Sequence, residues 1–101
     1  MIDLEKARRE EIRWRILKGL DAGRPYGVAE SILLNLLTDI NLAVSQNELR
    51  RELDYLEDRK LVTISGKEDG EWLPDMTRYG IDVVEYTVSC EPGIARPPKN
   101  R

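Results

Sequence analysis

Apolar residues recur at helical spacing in the first 40 residues of the chain. From about Asp3 to Ala22 they form one stripe, and Gly23 and Pro25 then indicate a helix end, because glycine accepts a left-handed cap and proline cannot continue the helix. From Val28 to Asp39 they fall at offsets of one, three and four, which predicts a second helix, buried more deeply than the first. The stripe residues are Ile12, Ile16, Leu17 and Leu20 in the first helix and Ile32, Leu33, Leu36, Leu37 and Ile40 in the second.

A third helix is predicted from Ser45 to about residue 60. Ser45 with Glu48 three residues later fits a capping box, in which the hydroxyl accepts a hydrogen bond from a free backbone N–H of the first turn. Leu49, Leu53 and Leu56 recur at helical spacing and mark the buried side.

The rest of the chain predicts a hairpin, a last helix and a tail. A β-branched run at 61–64, a polar turn at 65–70 and an extended stretch at 71–73 that stops at Pro74 predict two paired strands. Thr77 can cap a helix with Ile81, Val84 and Val88 facing inward, and its β-branched content leaves its length open. We therefore expect one mainly α domain with a small β-hairpin over residues 1–91, followed by a flexible, proline-containing basic tail over 92–101.

Composition excludes most catalytic and metal chemistry. The 101 residues suit a single domain, and they include one cysteine, Cys90, and no histidine, which removes disulfides, Cys/His zinc sites and imidazole bases. The acidic residues Glu68, Asp69 and Glu71 beside a glycine are typical of a solvated turn rather than a metal site. We expect a protein without enzymatic activity, cofactor or metal. The chain has neither a secretory stretch nor a membrane-spanning apolar run, so a cytoplasmic location is expected.

Three stretches carry a family resemblance. Val44–Gly66, VSQNELRRELDYLEDRKLVTISG, resembles the recognition helix and first wing strand of small bacterial regulators of the winged-helix superfamily. Together with DMTRYGIDVVEY and PGIARPP, it looks like a small protein family of Mu-like phages and prophages that is described as similar to ArsR-type regulators. The resemblance covers about Ile12–Pro98. It implies a winged helix-turn-helix, with three helices, a two-stranded wing and a C-terminal helix, in a bacterial host cell, and it leaves the mechanism open.

If this fold reads double-stranded DNA, the third helix enters the major groove, and polar side chains of its first turns reach bases and phosphates. Wing and tail cations would add phosphate contacts. In the alternative interpretation Ser45 only caps the helix and the arginines pair with acidic neighbours on a solvated face. The candidate DNA-binding residues are Ser45, Gln46, Asn47, Arg50 and Arg51 on the helix, Lys67 on the wing and Arg96, Lys99 and Arg101 on the tail.

Charge keeps a second function open. The formal net charge is −3, and residues 45–60 hold four basic and five acidic side chains, whereas phosphate binding needs concentrated positive charge. We therefore expect either a DNA-binding regulator or accessory factor of phage type, or a winged-helix module that binds a protein partner in phage assembly or packaging and has no DNA affinity.

Self-association is a further expectation. Trp14 lies about 200° around the helix from Ile12, away from the apolar stripe, so it either packs under the C-terminal helix or anchors an interface. We expect it to pack internally, and we expect a homodimer because regulators that read paired half-sites are commonly two-fold symmetric.

Overall fold

Four helices and one two-stranded antiparallel sheet make up the fold. The computed structural model describes residues 2–99. The sequence-based prediction of a mainly helical chain with one small hairpin is confirmed. The elements in chain order are α1 Leu4–Ala22, α2 Glu30–Asp39, α3 Gln46–Asp58, β1 Val62–Ser65, β2 Leu73–Met76 and α4 Arg78–Val84.

Helix α1 follows the predicted boundaries. The Asp3 carboxylate accepts a hydrogen bond from the Lys6 N–H at 3.1 Å and so caps the helix, and Gly23 follows its last residue. The predicted stripe is buried. Trp14 is only 5% exposed and its ring meets Tyr86 edge to face at a centroid distance of 6.4 Å, which confirms internal packing. Trp14 therefore offers no exposed anchor for self-association.

Helix α2 differs from the prediction in its start and in its burial. It begins at Glu30, because the preceding stretch is extended: the Val28 and Glu30 N–H groups donate to the carbonyls of Pro74 and Trp72 at 3.2 and 3.0 Å. Leu33 and Leu37 are fully buried, but two expected stripe residues remain open to solvent, with exposed fractions of 56% and 37% for Ile32 and Ile40. The apolar stripe is wider than the surface that α1 and α3 cover, so only one side of it is buried.

Helix α3 leads into the hairpin and packs against its first strand. Ser45 Oγ accepts from the Glu48 N–H at 3.1 Å, and Leu49, Leu53 and Leu56 are fully buried, as predicted. The second strand was predicted at residues 71–73, and it instead runs from Leu73 to Met76, through Pro74, which pairs with Ile64. Proline is tolerated there because β1 lies on one side only and the Pro74 carbonyl can still accept from Val28.

The end of the chain lies against the helices. Val83 and Val84 of α4 are buried, whereas Val88 is 37% exposed. The segment predicted to be a flexible tail with little to bury differs from that expectation over residues 92–97, where Ile94 packs against the core and several backbone groups accept hydrogen bonds from the body. Arginine side chains donate most of these bonds. The periodic patterns in the sequence do not predict them. No described helix has both the length and the apolar composition needed to span a bilayer.

Candidate nucleic-acid interface

The solvent-facing side of α3 is set by its buried leucines. Because Leu49, Leu53 and Leu56 point inward, the exposed stripe falls on positions spaced by four, three and four residues. Its members are Asn47, Arg51, Asp54 and Asp58. The candidates are therefore divided between a solvent-facing group and a group that faces the rest of the protein.

At the start of α3 the three polar candidates have different surroundings. Ser45 is the helix cap, which leaves its hydroxyl committed to the Glu48 N–H. Gln46 is exposed, but its amide donates to Glu30 Oε1 at 3.3 Å. Asn47 is exposed on the open side of the helix. Of the three, Asn47 is the side chain most available to an external ligand.

Arg50 belongs to a buried carboxylate network. Its Nε and Nη2 donate to the two oxygens of Glu30 at 2.8 and 2.6 Å, and Nη2 also donates to the Gly70 carbonyl at 2.8 Å. Glu30 has 2% of its side chain exposed and also accepts from the Trp72 N–H at 3.1 Å. A bidentate guanidinium–carboxylate pair of this kind is strong and geometrically specific. Arg50 thus ties α3 to the start of α2 and to the hairpin turn.

The ionisation of Glu30 follows from this network. Hydrogen bonds from the Arg50 guanidinium lower the pKa of the carboxyl, and the Trp72 N–H acts in the same direction, while burial opposes both. Glu30 was absent from the sequence-based candidates, because an acidic residue in the first turn of a helix is usually a solvated residue that complements the helix dipole. Its burial and its hydrogen bonds from Arg50 and Trp72 distinguish it, and the sequence reveals neither.

The predicted wing cation is also engaged within the protein. Lys67 Nζ contacts Asp54 at 2.9 Å and Glu57 at 3.1 Å, and these two carboxylates raise the pKa of the Lys67 ammonium. The Lys67 ammonium and the Arg50 guanidinium each lie 4.7 Å from the centre of the Trp72 ring. These contacts hold the hairpin against α3.

Arg51 and the tail candidates complete the set. Arg51 is exposed and takes part in none of the ion pairs found within residues 2–99. Arg96 Nη1 donates to the Val83 and Val88 carbonyls at 2.9 and 3.0 Å, so it holds residues 92–97 against α4 and the residues that follow it. Lys99 is exposed, and Arg101 lies outside the described residues. Arg51 and Lys99 are therefore the candidate cations that an external phosphate can reach in the described part of the chain.

The face made by α3 and the hairpin is acidic. Residues 45–73 contain eight acidic and five basic side chains, and two of the basic ones, Arg50 and Lys67, are paired with carboxylates. The exposed acidic residues Glu68, Asp69 and Glu71 surround the hairpin turn. The field on this side of the molecule consequently opposes, rather than assists, the approach of a polyanion.

The residues that carry the family resemblance fall on three parts of the structure. Val44–Gly66 forms α3 and β1, DMTRYGIDVVEY covers the end of β2 and all of α4, and the PGIARPP motif forms the segment that packs against the helices. Comparison of the chain with protein-family models, with curated proteins and with solved structures finds no match.

Proposed function

We propose that this protein is a winged-helix DNA-binding factor, acting as a regulator or accessory protein of phage type, that reads the major groove with α3. The order helix, helix, helix, hairpin, helix supports this assignment. The extended stretch before α2, which donates to the free side of β2, agrees with it. The observation that carries the proposal is the solvent-facing position of Asn47 and Arg51 in the first turns of α3, beside a hairpin held at its side.

The candidates take two different roles in this proposal. Asn47 and Arg51 make the direct contacts, since asparagine suits adenine and arginine suits guanine or phosphate. Gln46, which lies beside them, adds a contact when it leaves Glu30. Arg50 and Lys67 act as positioning residues, because their hydrogen bonds set the angle between α3 and the wing.

The charge pattern predicts binding with a weak dependence on salt. A protein that makes six to ten phosphate contacts loses about a thousandfold or more in affinity between about 50 and 200 mM salt. With Arg51 and Lys99 accessible in the described part of the chain, about two contacts are expected, and the loss is then only about tenfold over the same range. Specificity must come from base contacts, because the acidic face gives little non-specific attraction.

Titration of fluorescent duplex DNA with the full chain at these two salt concentrations tests the proposal. Arg51→Ala is expected to weaken specific binding about 5- to 150-fold, the effect of losing roughly 1 to 3 kcal/mol at one good base contact. The matched control is Arg78→Ala, which removes the same charge from a side chain that is 80% exposed on α4. Equal effects of the two substitutions would contradict a contact through the α3 face.

A protein partner is the second candidate, and the excess of carboxylates over residues 45–73 favours it. In this case the same winged-helix face binds a protein in phage assembly or packaging and has no DNA affinity. The two functions separate in a selection from a pool of random duplexes at about 50 mM salt, where the few phosphate contacts are strongest. If the wild-type protein enriches no sequence from this pool, the DNA proposal fails and the protein-partner function takes its place.

A further inference from the structure

The last part of the described chain crosses three helices as a strap, which we define as residues Pro92–Pro97. Its backbone exchanges hydrogen bonds with α1 and with the end of α3. The bonds run from the Ala95 N–H to the Glu10 carbonyl at 3.1 Å, from Arg13 Nη1 to the Gly93 carbonyl at 2.9 Å and from Arg59 Nη2 to the Pro92 carbonyl at 2.8 Å. The body therefore binds main-chain groups of this segment, as peptide-binding grooves do.

Aromatic and cationic side chains line the track of the strap. The guanidinium groups of Arg13 and Arg59 lie 3.6 and 4.7 Å from the centre of the Tyr55 ring. Gly93 passes directly over the Tyr55 hydroxyl with a φ of +109°, where a β-carbon would collide with that hydroxyl. At the far end the Tyr86 hydroxyl donates to the Pro97 carbonyl at 2.8 Å. This groove fits a glycine- and proline-containing segment closely.

One apolar side chain anchors the strap. Ile94 packs against the buried core and borders a cavity of about 20 Å³, whose wall also includes Leu61, Tyr79, Val83 and Cys90. The other anchors are side-chain hydrogen bonds to single carbonyls and one main-chain hydrogen bond, from the Ala95 N–H to the Glu10 carbonyl. A segment with one apolar anchor and no strand pairing opens at a lower free energy than the core does.

We propose that the strap detaches as a unit and that the groove beneath it is an interaction surface, whose occupant in trans is the strap of a second copy of this chain. The fit of this segment to this groove is already seen within one molecule, and a second copy offers the same carbonyls, the same Ile94 and the same proline positions. Exchange of an identical element between protomers creates a dimer without any new kind of contact.

The chain between α4 and the strap is long enough for this exchange. Residues 85–91 form turns and irregular chain, with Tyr86 at a φ of 64°. Tyr86 stays packed against Trp14 as part of the groove, and the five residues 87–91 beyond it can extend to about 17 Å, which exceeds the radius of gyration of 13.0 Å. A tethered strap competes for its own groove at an effective concentration of about 1 mM, so exchange becomes populated near that protein concentration.

A peptide of residues 91–99, labelled with a fluorophore, tests the groove on the full chain. Ile94→Glu removes the apolar anchor and vacates the groove, so this variant should bind the peptide at least tenfold more tightly than wild type does. Ile32→Glu, the same substitution at a site on α2 that is 56% exposed, is the matched control and should behave as wild type. Equal binding by all three chains, or binding by none, overturns the proposal.

A second variant keeps the test independent of how well Ile94→Glu folds. Arg96→Ala removes two hydrogen bonds from the strap while Ile94 stays in place. Cys90, the only cysteine of the chain, is half-buried next to Ile94 and reports opening by its rate of reaction with a thiol reagent. The rate should rise several-fold in Arg96→Ala relative to wild type, and an unchanged rate overturns detachment of the strap.

Small-angle X-ray scattering tests the occupant in trans. Between about 0.05 and 2 mM, a range that brackets the effective concentration of a tethered segment, wild type and Ile32→Glu should shift toward dimer. Ile94→Glu should remain monomeric, because its strap cannot occupy either groove. Monomers throughout, or dimers of all three chains, would refute a strap-exchanged dimer.

Discussion

Glu30 is the residue whose replacement tests the described network most directly. Its carboxylate accepts two hydrogen bonds from Arg50, one from Gln46 and one from the Trp72 N–H, and its side chain is only 2% exposed. Glu30→Gln keeps the size and shape of the side chain but replaces one acceptor oxygen by an NH2 donor. The Arg50 guanidinium then faces another donor, and the bidentate pair is lost.

The expected cost follows from the number and kind of bonds. Hydrogen bonds to a charged group contribute about 1.5 to 3 kcal/mol each, and the variant loses one or two of them while retaining acceptance by the remaining amide oxygen. Part of the loss is offset, because Arg50 is 24% exposed and can turn toward water. We therefore expect the free energy of unfolding to fall by about 2 to 3 kcal/mol, which lowers the melting temperature of a domain of this size by about 10 °C or more.

Urea unfolding at pH 7, followed by the fluorescence of Trp14 and Trp72, measures this difference. Glu68→Gln is the matched control, since Glu68 is exposed on the hairpin turn and its replacement should change the stability by less than about 0.5 kcal/mol. If Glu30→Gln were as stable as Glu68→Gln, the carboxylate network would contribute nothing to the fold.

The same variant predicts a pH dependence with a definite sign. Because the hydrogen bonds from Arg50 lower the pKa of Glu30 below its ordinary value of 4.5, the stabilisation is complete above that value and is lost as the pH falls toward the folded-state pKa. The difference in stability between wild type and Glu30→Gln should therefore be constant from pH 7 to about 5.5 and shrink below about 4.5. A difference that grows on acidification would contradict the assigned direction.

Two further substitutions test the core and the approach of α4 to the sheet. Leu53→Ala should lower the free energy of unfolding by about 2 to 5 kcal/mol, because Leu53 is fully buried, and urea titration with an unchanged m-value would measure it; a loss below about 1 kcal/mol would contradict its place in the core. Gly80→Ala should also destabilise the protein, since a β-carbon there would collide with the Leu61 carbonyl oxygen. Thermal melting of Gly80→Ala beside Gly19→Ala checks this, because a β-carbon on Gly19 of α1 meets only flexible side-chain atoms at 3.4 Å or more. A melting temperature of Gly80→Ala no lower than that of Gly19→Ala would show that α4 does not pack so closely.

The helices were predictable where the pattern and the caps agree. Ser45 caps α3 at the expected position, α1 ends at Ala22 as predicted, and the leucines of α3 are buried as their spacing predicts. The second strand was less predictable, because local rules make proline a strand terminator, whereas Pro74 lies inside β2. Its tolerance depends on the extended stretch near Val28, which lies far from it in the sequence.

The candidate site was predictable in residue type but not in availability. Helical spacing places Asn47 and Arg51 toward solvent, and it leaves Arg50 on the flank of α3. Whether a flank cation is free depends on which carboxylate reaches it, and Glu30 is twenty residues away along the chain. Lys67 is similar, because the fold of the hairpin brings it over Asp54 and Glu57. Long charged side chains form ion pairs with residues that are close in space, and the sequence alone does not show which residues those are.

By itself, then, the sequence determined the helices, the hairpin and the polar character of α3, because apolar periodicity and caps act over a few residues. Only the tertiary structure decided that Ile32 stays exposed, that Arg50 is bound by a buried Glu30 and that residues 92–97 pack across three helices. These features depend on contacts between segments far apart in the chain, and local propensity carries no information about which distant groups come within hydrogen-bonding or van der Waals range.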